Sequence, residues 1–293
     1  MNESITSVGI LHPGAMGVTV AASARNSGCD VYWVSEGRGE RTRSRAEQAG
    51  LLDVGSLAEL CRRCQLIVSV CPPEFAEYLV DQVVELNFRG TYLDANAVAP
   101  ACKLRMAAKL VDQVVELNFR GTYLDANAVA PACKLRMAAK MEAAGIHFVD
   151  GGIIGLPPKA NGETWLLLSG PQAAHIAPCF AKGPVEPDVI GAEIGKASAV
   201  KICYAAHNKG SIALATAMLA TADHFGVLEE VRKQFNRRGS KLPQIEADIV
   251  RAIPKAWRWA PEMLEIAATF QAAGQPPGFH DAAGVLYSRV GEF

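Results

Sequence analysis

The sequence predicts an α/β protein wound about a parallel sheet, and three observations predict it. The 293 residues are half apolar and one fifth charged, enough to bury a full core, which excludes a disordered chain. The first thirty or so residues read as strand, glycine turn, helix, strand, the shortest unit that places two parallel strands side by side. Strand and helix patterns then keep alternating well past the middle of the chain. The length fits two domains or one large one.

In chain order, SVGILH reads as a buried strand, HPGAMG as a glycine turn, VTVAASARNSG as a helix and DVYWVS as a second strand. In this setting a glycine turn points to a dinucleotide site. Gly14 lets the backbone approach a pyrophosphate, Gly17 lets the helix pack on the strand, and the N–H groups opening the helix face the phosphates. His12 stands where the first glycine of such turns usually is, and Pro13 sets the turn instead, with Ala15 and Met16 completing the contact segment. The end of the second strand separates NAD from NADP. Glu36 lies about 20 residues after the glycines, where an acid bonds a ribose hydroxyl. Ser35, Arg38, Arg41 and Arg43 surround it and suit a 2′-phosphate, so the balance favours NADP with NAD as the alternative. Arg41 and Arg45, four residues apart, also fit a solvated helix face, whereas Arg38 is still in the turn.

QLIVSVCPP is an apolar strand closed by Cys71, Pro72 and Pro73, which turn the chain at the carboxyl edge of the sheet, where ligands of such sheets bind. The segment LVDQVVELNFRGTYLDANAVAPACKLRMAAK follows at 79–109 and recurs unchanged at 110–140. One identical pair is unlike a solenoid, whose repeats are several and divergent. Each copy holds half a helix, a strand TYLDAN and most of the next helix. Residues 104, 107, 108, 111, 114 and 115 fall at helical spacing, which allows the two half-helices to fuse into one amphipathic helix across the junction. Removing either copy leaves the same parent, which has one slot for that strand. One functional copy and one passenger are therefore expected, either added to the sheet or looped out, with the first copy favoured for the slot.

A net charge of −1 gives no basic field for nucleic acid. No apolar run approaches the roughly 20 residues of a membrane span, and MNESITSVGILH lacks the features of a signal peptide, so a soluble cytoplasmic protein is expected. The eight cysteines fit reduced thiols; Cys61 and Cys64 have metal-like spacing but no second ligand pair, and no metal is expected. Trp257, Arg258 and Trp259 read as helix-packing core in preference to a substrate wall, and His280 as a packing or capping histidine.

HPGAMG opening a βαβ unit, with VCPP, DANAVAP, DGGIIGLPP and GKASAVKICYAA, resembles the β-hydroxyacid dehydrogenase and 6-phosphogluconate dehydrogenase superfamily. The tail PKAWRWAPEMLEIAATFQAAGQPPGFHDAA is similar to a branch whose C-terminal domain carries no assigned function. The resemblance covers the chain apart from the extra copy. It implies a Rossmann domain over 1–192, an all-helical domain over 193–293 opened by a long helix, a homodimer, and a small-molecule substrate held in an interdomain cleft. It also implies that Lys201 is the general acid/base of hydride transfer, a role that a partly desolvated lysine can fill. Lys201, Tyr204, Asn208 and Ser211 recur at helical spacing on an Ala-rich helix. Asn96 or Asn127, with Gly152, Ile154, Gly155, Tyr204 and Asn208, are the implied substrate contacts. This chain departs from the superfamily at three points. Ala205 replaces an asparagine, Ala99 or Ala130 a serine, and Ile154-Gly155-Leu156 the usual Ser-Gly-Gly. The implied function is an NADP-preferring oxidoreductase acting on a small hydroxyl or carbonyl compound. The alternatives are an imine reductase, against which Lys201 argues, and a catalytically silent NADP-binding protein disabled by the duplication.

Overall fold

The computed structural model describes residues 4–96, 121–237, 239 and 241–290. The chain divides into two compact units, Met1–Lys201 and Ile202–Phe293. The first is the predicted α/β unit, with a sheet ordered β3-β2-β1-β4-β5-β6-β7-β8-β9. β1 (Ser7–Ile10), β2 (Asp30–Trp33), β3 (Leu52–Asp53) and β4 (Leu66–Ser69) form one side of it. β5 (Thr91–Asp94), β6 (Thr122–Asp125), β7 (His147–Ile154), β8 (Thr164–Ser169) and β9 (Val185–Gly191) form the other. Among the described residues every pairing is parallel except that of β7 with β8. Strands covered on both faces need apolar residues at every position, and Leu66, Ile67 and Val68 are all fully buried.

The helices follow from local signals. α1 (Ala15–Asn26) begins after the glycine turn and buries Val20, Ala21 and Ala24. α2 (Glu40–Gln48) is almost wholly polar and buries only Ala46. α3 (Leu57–Arg63) is capped by Ser56, whose hydroxyl accepts from Glu59 N–H. α4 (Pro73–Glu85) and α5 (Pro131–Ala143) each carry proline in the first turn, where a missing N–H costs nothing. A short helix α6 (Ala173–Ile176) precedes the long α7 (Lys196–His224).

The sheet takes both copies of the repeated strand. β5 pairs with β4, β6 with β5, and β7 with β6, so each residue of the repeated strand lies opposite its own duplicate: Tyr92 against Tyr123, Asp94 against Asp125. The expected single slot is thus widened to two, because a parallel sheet grows wherever an apolar strand finds a neighbour of matching register. Tyr92 and Tyr123 stack at 6.0 Å, and Tyr123 and Phe148 at 6.2 Å, giving a continuous aromatic row beneath α5. The junction helix expected from the sequence and Ala99 lie outside the described residues.

The second unit holds the remainder of α7 with α8 (Leu228–Arg237), α9 (Leu242–Ala252), α10 (Ala260–Ala272) and α11 (Gly278–Val290). Ile202, Ala206, Ala213, Met263, Ile266 and Tyr287 are among its buried residues. The small alanines of α7 let neighbouring helices approach closely. The expected Trp core is half present. Trp259 packs edge-on against Tyr287 at 5.3 Å, whereas Trp257 is 60% exposed. His280 is buried, its ring 4.5 Å from that of Phe270. Among the described residues no helix is long and apolar enough to cross a membrane.

Candidate functional site

β1 ends at Ile10, and the next four residues form the turn that leads into α1 at Ala15. Gly14 N–H donates to His12 O at 2.8 Å, closing the turn tightly. A Cβ on Gly17 would stand 2.2 Å from His12 O, so only glycine lets α1 begin this close to β1. A Cβ on Gly14 would meet nothing within 4 Å, so that glycine leaves space where the helix opens. No side chain caps α1 and no acid lies in its first turn, so its opening N–H groups and dipole suit an anion. Pro13 is buried, Ala15 exposed and Met16 half-buried against the core.

Strand order reverses between β1 and β4, the point at which such sheets bind ligands beyond their carboxyl ends. A cleft of about 450 Å³ lies beside it, with Leu11, His12, Val34, Glu36 and Arg38 on one wall and Tyr78 of α4 among those on the other. Arg38 reaches from the loop after β2 toward the turn. Its Nη1 lies 2.7 Å from His12 Nε2, and its Nη2 donates to Leu11 O at 3.2 Å. Burial and the Arg38 guanidinium push the His12 imidazole down to about 4, so it is neutral at pH 7.

The other arginines brace this arrangement. Arg43 donates to Arg38 O and Ser35 O, and Arg45 to Pro13 O at 3.3 Å, so Arg45 lies against the turn instead of on the solvated face expected of it. Glu36 is exposed and Ser35 buried, with Ser35 N–H 3.2 Å from Asp53 Oδ1. Burial opposes charge on Asp53, but hydrogen bonds from Ser35 and Gly55, together with Arg43, outweigh it and hold the carboxyl below its ordinary range. Asp53 was not legible as part of the site. It belongs to a two-residue strand with no periodicity, and only its pairing with β2 brings it there.

Across the reversal the sheet edge is treated differently. Asn96 is buried: its Nδ2 donates to Ser69 Oγ at 2.8 Å and its Oδ1 accepts from Cys71 N–H at 2.7 Å. Asn127 is also buried and donates to Asp94 O at 2.9 Å. Both amides bind each strand end to the one before it. Pro72 and Pro73 turn the chain from β4 into α4 as expected from the sequence.

Two residues missing from the sequence reading organise the far side. Lys134 of α5 is fully buried, 3.1 Å from Asp125 and 3.3 Å from Asp150. Burial opposes its charge, yet the two carboxylates more than offset that and hold the ammonium above its ordinary range. Asp150 Oδ2 accepts from Gly195 N, Ser198 N, Ser198 Oγ and Ser169 Oγ at 3.0–3.1 Å, a buried carboxylate on the first turn of α7. That cap fixes where α7 starts and therefore where Lys201 lies. Lys201 Nζ donates to Ile153 O of β7. A Cβ on Gly152 would come within 3.0 Å of Lys201 Cβ, so Gly152 makes room for the lysine stem. Ile154 is buried with Leu167 and Ala197, and Gly155 has φ +119 with no space for a Cβ beside Thr164. Farther along α7, in the second unit, Tyr204 and Asn208 are exposed and Ala205 is buried, and His207 Nδ1 lies 3.2 Å from Asn208 Oδ1.

Comparison with known proteins agrees with this architecture. Residues 222–290 match a domain of unknown function, DUF1932. No curated protein sequence matches the chain. Among solved structures, one similar fold is a conserved protein of unknown function described as structurally similar to 3-hydroxyacid dehydrogenases. It shows TM-score 0.62 and 21% identity, covering 98% of this chain and 97% of that one. Another is 3-hydroxyisobutyrate dehydrogenase from Salmonella typhimurium, with TM-score 0.63 and 18% identity over 97% and 93% of the two chains. An imine reductase from Myxococcus stipitatus, solved with NAD+, gives TM-score 0.53 and 15% identity over 100% and 94%. The chain therefore has the fold of dehydrogenases and reductases, a Rossmann-like unit followed by a helical one, and carries a DUF1932 domain in the latter.

Proposed function

We propose that the protein is an NADP-preferring oxidoreductase that moves a hydride between a nicotinamide and a small hydroxyl- or carbonyl-bearing substrate, with Lys201 as general acid/base. The observation that carries this reading is the uncapped glycine turn at the strand-order reversal, opening on the Arg38 cleft. The residues present fit a dinucleotide. Gly14 leaves space at the helix N-terminus, and Arg38 enters from the loop after β2, where ribose substituents are read. The similar folds include a dehydrogenase of a hydroxy acid and a reductase solved with NAD+, which supports nicotinamide chemistry here.

When bound, a nicotinamide accepts or supplies the hydride. The chain's own work is acid–base. Oxidation of a carbinol releases the hydroxyl proton as the C–H bond breaks, and the neutral amine of Lys201 takes it; reduction of a carbonyl returns it. The Ile153 carbonyl and the Gly152 surface hold that amine at the end of β7. An acid–base lysine suits a hydroxyl or carbonyl better than an imine.

One observation favours a second reading, a protein that binds the cofactor without turning it over. The extra strand adds about 4.8 Å between the glycine turn and the strand bearing the Lys201 contact. Titration with NADPH and NADH, followed by nicotinamide fluorescence, tests the shared part. Tight binding of NADPH over NADH is expected, and binding of neither sinks both readings. Lys201→Ala then separates them: turnover lost with binding kept supports the enzyme, and a wild-type chain that binds but turns nothing over supports the silent protein.

A further inference from the structure

Two buried nitrogens on the same cleft have no hydrogen-bond partner, His12 Nδ1 and Arg38 Nε. Their chemistry can be assigned. A guanidinium only donates, so Arg38 Nη1, at 2.7 Å, donates to His12 Nε2, and that nitrogen carries no proton. A neutral imidazole then holds its proton on Nδ1. The low proton affinity of His12 agrees with this tautomer. Both orphans are therefore N–H donors, one on each side of the same contact, and a buried donor without an acceptor is an unmet demand. The surroundings favour a negative acceptor. Arg38, Arg43 and Arg45 converge here, with Glu36 exposed on the cleft wall and Asp53 already holding Ser35 and Gly55. The Cys71 thiol also acts on Arg38. Gly37 and Gly39, both exposed and without a Cβ contact, flank Arg38 and let its loop adjust to a ligand.

We propose that His12 is a specificity residue: with Arg38 it forms a two-donor site for the oxygens of a phosphate monoester, the 2′-phosphate of a dinucleotide held on the glycine turn. The pyrophosphate of such a ligand belongs to the N–H groups opening α1, whereas Arg38 comes from the loop after β2, beside the ribose. The residue that replaces a glycine of the turn thereby gains a role that glycine lacks. This rests on the cofactor reading above, so the test separates the two.

The purified full chain is titrated calorimetrically at pH 7.5 with 2′,5′-ADP and with 5′-AMP, which differ by the 2′-phosphate. Wild type is expected to prefer 2′,5′-ADP. His12→Gly, which restores the ordinary turn residue, should weaken 2′,5′-ADP by about 10- to 100-fold, the range for a hydrogen bond to a charged group, and leave 5′-AMP unchanged. His12→Asn keeps a donor near the Nδ1 position and should retain most of the preference. His12→Gln places its amide at the Nε2 position and should behave as His12→Gly does, giving a second test if the glycine variant does not fold. An unchanged preference in both His12→Gly and His12→Gln overturns the role of His12 while the cofactor reading stands. Equal loss of both ligands means that His12 only shapes the turn, which also overturns it. Failure of wild type to bind either ligand removes the cofactor reading itself.

Discussion

The carboxyl edge of the sheet consists of two regions that treat their polar groups in opposite ways. On the β1–β2 side the first turn of α1 has no side-chain cap, and two buried donors of residues that line the cleft have no hydrogen-bond partner. On the β4–β7 side, Asn96, Asn127, Asp150 and Lys134 are buried and joined to one another or to neighbouring strand ends. A polar group already paired inside the protein has little left for a ligand, so the first region keeps donors open, as the proposed cofactor site requires, and the second holds the strands. The duplication adds a cost to the second. In-register copies bring Asp94 beside Asp125, and Asp125 beside Asp150, and like charges opposite each other destabilise a sheet. Lys134 answers two of the three carboxylates, and Asp94 is met by Tyr123 Oη at 2.7 Å and by the Asn127 amide.

The contrast can be broken most forcefully at Lys134. Replacement by alanine strands two buried carboxylates and should cost about 3–5 kcal/mol in a denaturant titration; a loss below about 1 kcal/mol would show that water already screens them. Deleting residues 110–140 is the next largest test, because it returns β7 to its place one strand closer to the glycine turn. Turnover should rise on the order of 10²-fold, as expected for restoring a misplaced reacting group. Cofactor affinity should stay within about twofold, since the binding region is distant from the change. Equal turnover in the two forms would show that the second copy has no bearing on the chemistry.

A smaller effect separates the two copies. The Asn127 side chain donates to the Asp94 carboxylate, whereas the Asn96 side chain pairs with neutral partners, so Asn127→Ala should destabilise by about 1 kcal/mol more than Asn96→Ala. Equal losses in thermal melts would mean that the identical residues remain energetically equivalent. The smallest effect belongs to the binding side. His12 titrates near 4 in the folded chain and near 6.5 when unfolded, so the unfolded chain takes up the extra proton between those values. Stability should fall as pH drops from about 6.5 to about 4, by about 1–2 kcal/mol after allowance for solvent screening. A His12→Asn chain should lack that component, and coincident pH–stability curves would refute it.

The amino-acid sequence by itself determined the α/β class, the βαβ unit, the glycine turn and the proline-led starts of α4 and α5, because each depends on periodicity or on backbone constraints within a few residues. It also marked Gly17, whose need for close packing follows from turn geometry alone. Tertiary structure alone decided which polar groups remain open. Asn96 and Asn127 looked equivalent and available, but neighbouring strand ends consume them. Lys134 and Asp150 carried no local signal, since their partners lie on other strands or at the start of α7, and Asp53 reaches the site only through Ser35 beyond the neighbouring strand. The fate of the repeat was decided there as well. Two identical strands give identical local preferences, and only pairing across the sheet determined that both would enter it, because a parallel sheet accepts any apolar strand whose register matches the next.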